Sequence, residues 1–187
     1  MRVRAIALIL FALLLLVGPS FSVSAQQPTP SSQPLTELPE KDLNTELKSA
    51  RGLPFKLSDY SGRVLVINLW ATWCGPCLME VPTLVKLQSD LWSQGVRVVG
   101  LSTENPTDSR REVQQFIRVH RIQYKIGWAS QDVATTLMQG RDAVPQTYVI
   151  SGSGRIVRRF VGFNPTVSPG LVREAVAEAQ KENVPSP

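Results

Sequence analysis

The chain has 187 residues, a formal net charge of +5 and 43% hydrophobic residues, with two cysteines and one histidine. Arg2 and Arg4 supply two of the positive charges, and the modest remaining excess gives no argument for nucleic-acid binding. Two cysteines and one histidine also leave a structural zinc site without the Cys and His ligands it needs.

The first 25 residues have the pattern of an export signal. Arg2 and Arg4 precede an apolar run at Ala5–Val17, and Val23-Ser24-Ala25 fits a small-residue cleavage site. Because the run is short for a membrane span, we expect a cleaved signal peptide at residues 1–25, with an uncleaved anchor as the alternative. In either case the rest of the chain is expected to be extracytoplasmic, in the periplasm or at the outer face of a membrane.

Residues 26–42 are rich in Pro, Ser and Gln and predict a spacer that is too polar to bury a core. Residues 43–183 are long enough for one domain, and residues 184–187 are predicted to be a short tail.

The predicted elements of the domain alternate between strands and helices. Strands are predicted at residues 63–70, 96–102, 124–128, 147–151 and 155–163, and helices at residues 76–94, 109–121, 131–139 and from 168 onward. The first helix has its apolar side at Leu78, Val81, Leu84, Val85, Leu87 and Leu91. Ser109 and Glu112 have the spacing of a capping box at the start of the second helix. This order is typical of an α/β domain whose mixed sheet is covered on both faces.

Cys74 and Cys77, three residues apart, lie at the start of the first helix. A bridge between them would close a very small loop and stabilise the fold little, so a redox role is favoured over a structural one. The unpaired N–H groups and the dipole at the helix N-terminus favour a thiolate at Cys74. Cys77, one turn inside, shares less of that field. We therefore expect Cys74 to be the attacking nucleophile and Cys77 the resolving thiol.

The segment Trp73-Cys74-Gly75-Pro76-Cys77 resembles the active site of the thioredoxin superfamily, and Val144-Pro145 before a β-rich run agrees with that resemblance. The resemblance covers residues 43–183 and implies a thioredoxin fold, which is a mixed central sheet flanked by helices, with a central αβ insertion. It also implies an N-terminal β-hairpin, which we place at Thr45–Lys48 and Leu53–Leu57.

The resemblance also assigns roles around the disulfide. Pro145 is expected to be a cis proline that faces the disulfide, and the backbone of Val144 is expected to pair with a substrate chain. Trp73, Gly75 and Pro76 are expected to complete the substrate-binding surface. Gln146 replaces the threonine common at that place in the family, which would alter substrate contacts.

Within this superfamily the chain is more similar to the membrane-linked, extracytoplasmic TlpA/ResA branch. Besides the leader and spacer, the similarity rests on an insertion of roughly 25 residues before the helix that precedes Pro145. It also rests on Asn68, where cytoplasmic thioredoxins carry a buried acid, and on Glu80, where ResA-like proteins place an acid beneath the thiols. The dipeptide Gly75-Pro76 departs from some members of the branch.

Glu80 lies one turn beyond Cys77, so the two side chains can share one face of the helix. If it is buried, its pKa should rise and it could relay a proton to or from Cys77. The alternative is a solvated carboxylate near a helix start. Trp70 is predicted to be core packing. His120 is predicted to be a partly buried structural residue, with a copper ligand as the alternative.

The sequence therefore predicts a thiol–disulfide oxidoreductase that works mainly as a reductant. The resemblance implies that its clients are apocytochrome c or copper-delivery proteins and that a membrane thiol reductase supplies electrons. No bound cofactor or metal is implied, and a monomer is expected. The alternative is a Cu(I)-binding chaperone that uses Cys74 and Cys77. A peroxidase is disfavoured because Thr72 lies two residues before Cys74 rather than three.

Overall fold

The computed structural model describes residues 35–182. The predicted signal peptide or anchor and the tail lie outside the described residues, so those predictions stay predictions. Within residues 35–182, none of the helices combines the length and the apolar character that a membrane crossing requires.

A five-stranded mixed sheet forms the centre of the domain. Its strands are β3 (Val64–Trp70), β4 (Val96–Ser102), β5 (Lys125–Trp128), β6 (Gln146–Ile150) and β7 (Ile156–Val161), in the spatial order β5-β4-β3-β6-β7. Strands β3, β4 and β5 are parallel, and β6 is antiparallel to both β3 and β7. A separate hairpin pairs β1 (Leu47–Lys48) with β2 (Pro54–Phe55), as predicted.

Helices cover both faces of the sheet, and this confirms the predicted α/β class. The helices are α1 (Glu40–Asn44), α2 (Gly75–Leu91), α3 (Arg110–Val119), α4 (Gln131–Met138) and α5 (Ser168–Glu182). Every residue of β3 is buried, and alternate side chains enter two separate cores. Val66 packs with residues of α2, α3 and α5, whereas Ile67 packs with residues of α4 and the hairpin.

The predicted central insertion corresponds to α3 and β5. Strand β5 extends the sheet by pairing with β4, and the hairpin closes against it where Ala50 N–H donates to the Ile126 carbonyl at 2.8 Å. Gly127 is required at this contact, since a Cβ there would lie 2.8 Å from the Lys48 carbonyl oxygen.

Three local predictions differ from the structure. The spacer prediction fails over residues 35–42, because Leu38 is buried and Ile156 N–H donates to the Thr36 carbonyl at 2.7 Å. Ser109 is the N-cap residue of α3 but forms no capping box, since its hydroxyl donates to the Asn105 carbonyl at 2.7 Å instead. Leu78, predicted on the apolar side of α2, is exposed.

Candidate active site

The two cysteines lie where β3 passes into α2. Cys74 is the N-cap residue of α2 and Gly75 is the first residue of the helix. The cysteines form a disulfide, and Cys77 N–H points to Cys74 Sγ at 3.2 Å. A backbone N–H at the start of a helix is a favourable partner for a negative sulfur, so this geometry supports a thiolate at position 74 after reduction.

The disulfide is nearly buried but opens onto an exposed surface. Cys74 and Cys77 are 4% and 2% exposed, whereas Trp73 between strand and helix is 71% exposed. Gly75 and Pro76 are also exposed, and a Cβ at Gly75 would meet no other atom within 4 Å. A partner can therefore approach the pair from the side of these three residues.

The Val144–Pro145 peptide bond is cis and forms the wall that faces the disulfide. The Val144 carbonyl oxygen lies 3.5 Å from Cys74 Sγ, and the Pro145 carbonyl accepts a hydrogen bond from Gly162 N–H at 2.8 Å. The predicted cis conformation and the predicted position of Pro145 thus agree with the structure.

Glu80 belongs to a buried polar cluster and lies one turn of α2 beyond Cys77. Its side chain is 2% exposed, and its carboxylate accepts hydrogen bonds from Thr147 Oγ1 at 2.6 Å and Asn68 Nδ2 at 2.9 Å. Asn68 Nδ2 also donates to Thr147 Oγ1 at 3.0 Å. Burial raises the pKa of Glu80 to about 7, although the two hydrogen bonds oppose the rise. Glu80 can therefore exchange a proton near neutral pH, and the solvated alternative is wrong.

This pKa predicts that the oxidised protein loses stability as the pH rises. The folded state holds the Glu80 proton up to about pH 7, whereas the unfolded state releases it near 4.5, so the folded state binds more protons between these values. The free energy of unfolding should fall by about 3 kcal/mol across this window. Chemical denaturation of the oxidised protein at pH 5 and pH 8 measures the difference.

A Glu80→Gln variant should lose most of this pH dependence, since its amide does not titrate. Glu174→Gln, at an exposed position of α5, is the matched control and should keep the wild-type dependence. Equal pH dependence in the wild type and the Glu80→Gln variant would contradict the assignment of the pKa to Glu80.

A second carboxylate holds the loop that precedes Cys74. Glu104 accepts hydrogen bonds from the backbone N–H of Thr72 at 2.8 Å, from its hydroxyl at 2.6 Å, and from the Ser102 hydroxyl at 3.0 Å. These hydrogen bonds hold Thr72, two residues before Cys74, next to Ser102 at the end of β4. No sequence pattern predicts these contacts, because Thr72 and Glu104 lie far apart along the chain.

The remaining candidates from the sequence lie outside this cluster. Trp70 is buried and its ring centroid lies 4.5 Å from that of Phe116, as expected for core packing. His120 is half-buried and its ring centroid also lies 4.5 Å from that of Phe116, as expected for a structural histidine. Across residues 35–182, no group of three or more His, Cys, Asp or Glu side chains could hold a metal ion.

Gln146, which was expected to alter substrate contacts, does not reach the surface itself. It is fully buried, and its amide donates to the Arg141 and Ala143 carbonyls at 2.6 Å and 2.7 Å. Any effect of this residue on a substrate must therefore pass through the loop that carries Val144.

The chain is similar in sequence to known proteins. The thiol:disulfide interchange protein HelX of Rhodobacter capsulatus is 32% identical over 110 residues, which is 58% of each chain. The thiol-disulfide oxidoreductase ResA of Bacillus subtilis is 29% identical over 124 residues, which is 64% of each chain. The match thus spans less than two thirds of either relative's length.

A solved structure agrees with the fold. The thiol:disulfide interchange protein of the thioredoxin family from Chlorobium tepidum superposes with a TM-score of 0.65 at 24% identity, over 80% of this chain and 99% of that one. This similarity confirms the predicted thioredoxin fold. The model of the AhpC/TSA family matches residues 38–159. The chain belongs to the AhpC/TSA family.

Proposed function

We propose that this protein is a thiol–disulfide oxidoreductase that reduces disulfides in exported client proteins. The observation that carries the proposal is the Cys74–Cys77 disulfide at the N-terminus of α2, faced by the cis peptide bond of Pro145. The names of the two relatives support the same class of reaction.

The reaction begins with the reduced pair. The Cys74 thiolate attacks one sulfur of a client disulfide, and the other client sulfur leaves as a thiolate that takes a proton. A mixed disulfide then joins Cys74 to the client. The Cys77 thiolate attacks Cys74 Sγ and releases the second client thiolate, so two electrons pass to the client and the Cys74–Cys77 disulfide forms. A membrane thiol reductase restores the dithiol.

Glu80 acts in the second half of this reaction. Cys77 must lose its proton before it attacks, and it lies one turn from Glu80 on the buried side of α2. Because its pKa lies near 7, Glu80 can accept that proton at neutral pH and return it when the pair is reduced again.

The client binds along the exposed surface beside Cys74. Trp73, Gly75 and Pro76 offer an open contact area, and the backbone of Val144 is available to an extended client segment near the disulfide. We place this reaction outside the cytoplasm, because residues 1–25 have the pattern of an export signal. Apocytochrome c is the client that the family resemblance favours, with copper-delivery proteins second.

A Cu(I)-binding chaperone remains the alternative from the binding class, because two thiols can hold Cu(I). Titration of the reduced protein with Cu(I), beside a disulfide-reduction assay on the same sample, separates the two functions. Tight copper binding without disulfide reduction would favour the chaperone.

A Cys77→Ser variant should trap the client. Without the resolving thiol, the mixed disulfide at Cys74 cannot be released, so clients should accumulate as covalent adducts. Non-reducing electrophoresis followed by mass spectrometry of the full chain expressed in its host compartment identifies them. The Cys74→Ser/Cys77→Ser double variant is the control and should trap nothing. If abundant Cys77→Ser protein yields no adduct, the proposed reductase function is wrong.

A further inference from the structure

The wall opposite the disulfide, the Val144–Pro145 peptide, lies in a loop without regular secondary structure. Residues 139–145 connect α4 to β6 and include the cis Val144–Pro145 bond. Such a segment has few backbone partners of its own, so side chains must bind its peptide groups. In this protein those side chains come from β6 and β7, on the face of the sheet that carries α4.

Gln146, the first residue of β6, binds both the loop and the sheet. Its Nε2 donates to the carbonyls of Arg141 and Ala143, which flank the wall on its N-terminal side. Its Oε1 accepts a hydrogen bond from Arg159 Nη2 at 2.6 Å and lies 2.8 Å from the Tyr148 hydroxyl oxygen. A single buried amide thus links the loop to two strands.

Tyr148 and Arg159 hold the end of α4 in the same way. The Tyr148 hydroxyl lies 2.5 Å from the Leu137 carbonyl, and Arg159 Nη2 donates to the Met138 carbonyl at 2.9 Å. These are among the last carbonyls of the helix, which lack partners within it. Together the three side chains therefore contact carbonyl groups on both sides of residues 139 and 140. These carbonyls belong to Leu137 and Met138 before the two residues and to Arg141 and Ala143 after them.

The orientation of the Gln146 amide follows from its partners. Arg159 can only donate and the two loop carbonyls can only accept, so Oε1 must face Arg159 and Nε2 must face the loop. The single proton of the Tyr148 hydroxyl serves either Leu137 or Gln146. A glutamine meets all these demands, whereas a threonine side chain is too short to bridge the same groups.

We propose that Gln146 is a positioning residue that fixes the Val144–Pro145 wall against the disulfide and thereby aligns the client backbone with Cys74. The proposal rests on the proposed reductase function and extends it to a buried residue. With Arg141 and Ala143 bound by Gln146, and Pro145 bound by Gly162, the Val144 carbonyl is left facing Cys74. Loss of the amide donor should release this segment.

Two substitutions separate positioning from a merely structural role. Gln146→Leu removes both the donor and the acceptor. Gln146→Glu keeps an acceptor for Arg159 and Tyr148 but turns a second oxygen toward the loop carbonyls. If the donor to the loop matters, the two variants should behave alike. If the residue only satisfies Arg159, Gln146→Glu should behave like the wild type.

The test compares two substrates for each reduced, full-chain variant. One is a peptide with an internal disulfide, which has a backbone to align, and the other is 5,5′-dithiobis(2-nitrobenzoate), which has none. The ratio of the peptide rate to the small-disulfide rate should fall by about 10- to 100-fold in both variants, because the misplaced wall misaligns only the peptide. Val176→Ala, a buried truncation on α5, is the matched stability control and should keep the wild-type ratio.

Hydrogen exchange over residues 139–146 gives a readout that does not need activity. Exchange should be faster in both Gln146 variants than in Val176→Ala. Unchanged exchange, or a wild-type ratio in either Gln146 variant, would overturn the positioning role. If wild-type protein reduces neither disulfide, the reductase function fails, and the exchange result alone still decides whether Gln146 holds the wall.

Discussion

Replacing Cys74 with serine is expected to lower the rate of client-disulfide reduction by at least about 10³-fold, because a serine hydroxyl supplies practically no anion at neutral pH. The structure supports this residue as the attacking group. Cys74 is the N-cap of α2, its sulfur faces the Cys77 N–H, and it lies beside exposed Trp73. Reduction of insulin by the purified, prereduced protein measures the effect.

The Cys77→Ser variant is the matched control for this prediction. It should still form one mixed disulfide per molecule at a rate near that of the wild type, but it should not turn over. Loss of a cysteine is therefore expected to stop the reaction at a different step in each variant. A Cys74→Ser protein that keeps even a tenth of the wild-type rate would show that Cys77 can attack clients directly, against the proposed order.

Replacing Glu80 with glutamine is expected to slow the release of the mixed disulfide by about 10²-fold near pH 8, the usual size of a general acid–base contribution. In the wild type the Glu80 carboxylate is ionised above its pKa of about 7 and can take the Cys77 proton. Below that pH it is protonated and cannot, so the release rate should rise through pH 7. Stopped-flow measurement of release between pH 5 and pH 9 tests this.

The pH profile distinguishes proton transfer from a packing effect. In the Glu80→Gln variant the inflection near pH 7 should disappear, because the amide cannot accept the Cys77 proton at any pH. If Glu80 contributed only by packing, its replacement would lower the release rate and leave the inflection near pH 7 in place. The exposed control Glu174→Gln should match the wild type at every pH. An inflection near pH 7 in the glutamine variant would contradict the proton-relay role.

The sequence was sufficient to predict the strand, the turn and the helix start that carry the cysteines, because each of them depends on residues that are adjacent in the chain. The apolar run of β3, the turn to Cys74 and the proline in the first turn of α2 are contiguous, and the structure has each of them. The cis Val144–Pro145 bond followed from the family resemblance rather than from composition. Its position against the disulfide agrees with that expectation.

The hydrogen-bond partners within the site could not be predicted in the same way. Thr147 meets Glu80 because β6 is antiparallel to β3, which places Thr147 opposite Asn68 in the sheet. Nothing in either segment alone fixes that register. The contacts of Gln146 also depend on how the strands pair, and its side chain faces the opposite side of the sheet from that of Thr147. Thr147 thus contacts Glu80, whereas the adjacent Gln146 contacts the loop that carries Val144 and Pro145.

Ser109 shows how a correct motif can mislead about its contacts. The spacing of Ser109 and Glu112 located the start of α3 correctly, but the hydroxyl is used by the preceding turn and by Trp128 Nε1 at 3.4 Å. A short polar side chain can bind several nearby backbone groups, and tertiary contacts choose between them. Sequence patterns therefore placed the elements of this domain more reliably than they placed its hydrogen bonds.

The most direct test of the central claim is a single-turnover transfer of electrons from the reduced Cys74–Cys77 pair to a protein disulfide. Prereduced protein is mixed with an equal amount of insulin, the reaction is quenched with acid, and free thiols are alkylated and counted by mass spectrometry. The account predicts that each molecule that forms the Cys74–Cys77 disulfide yields two new insulin thiols. Insulin that stays oxidised while the protein remains a dithiol would contradict it.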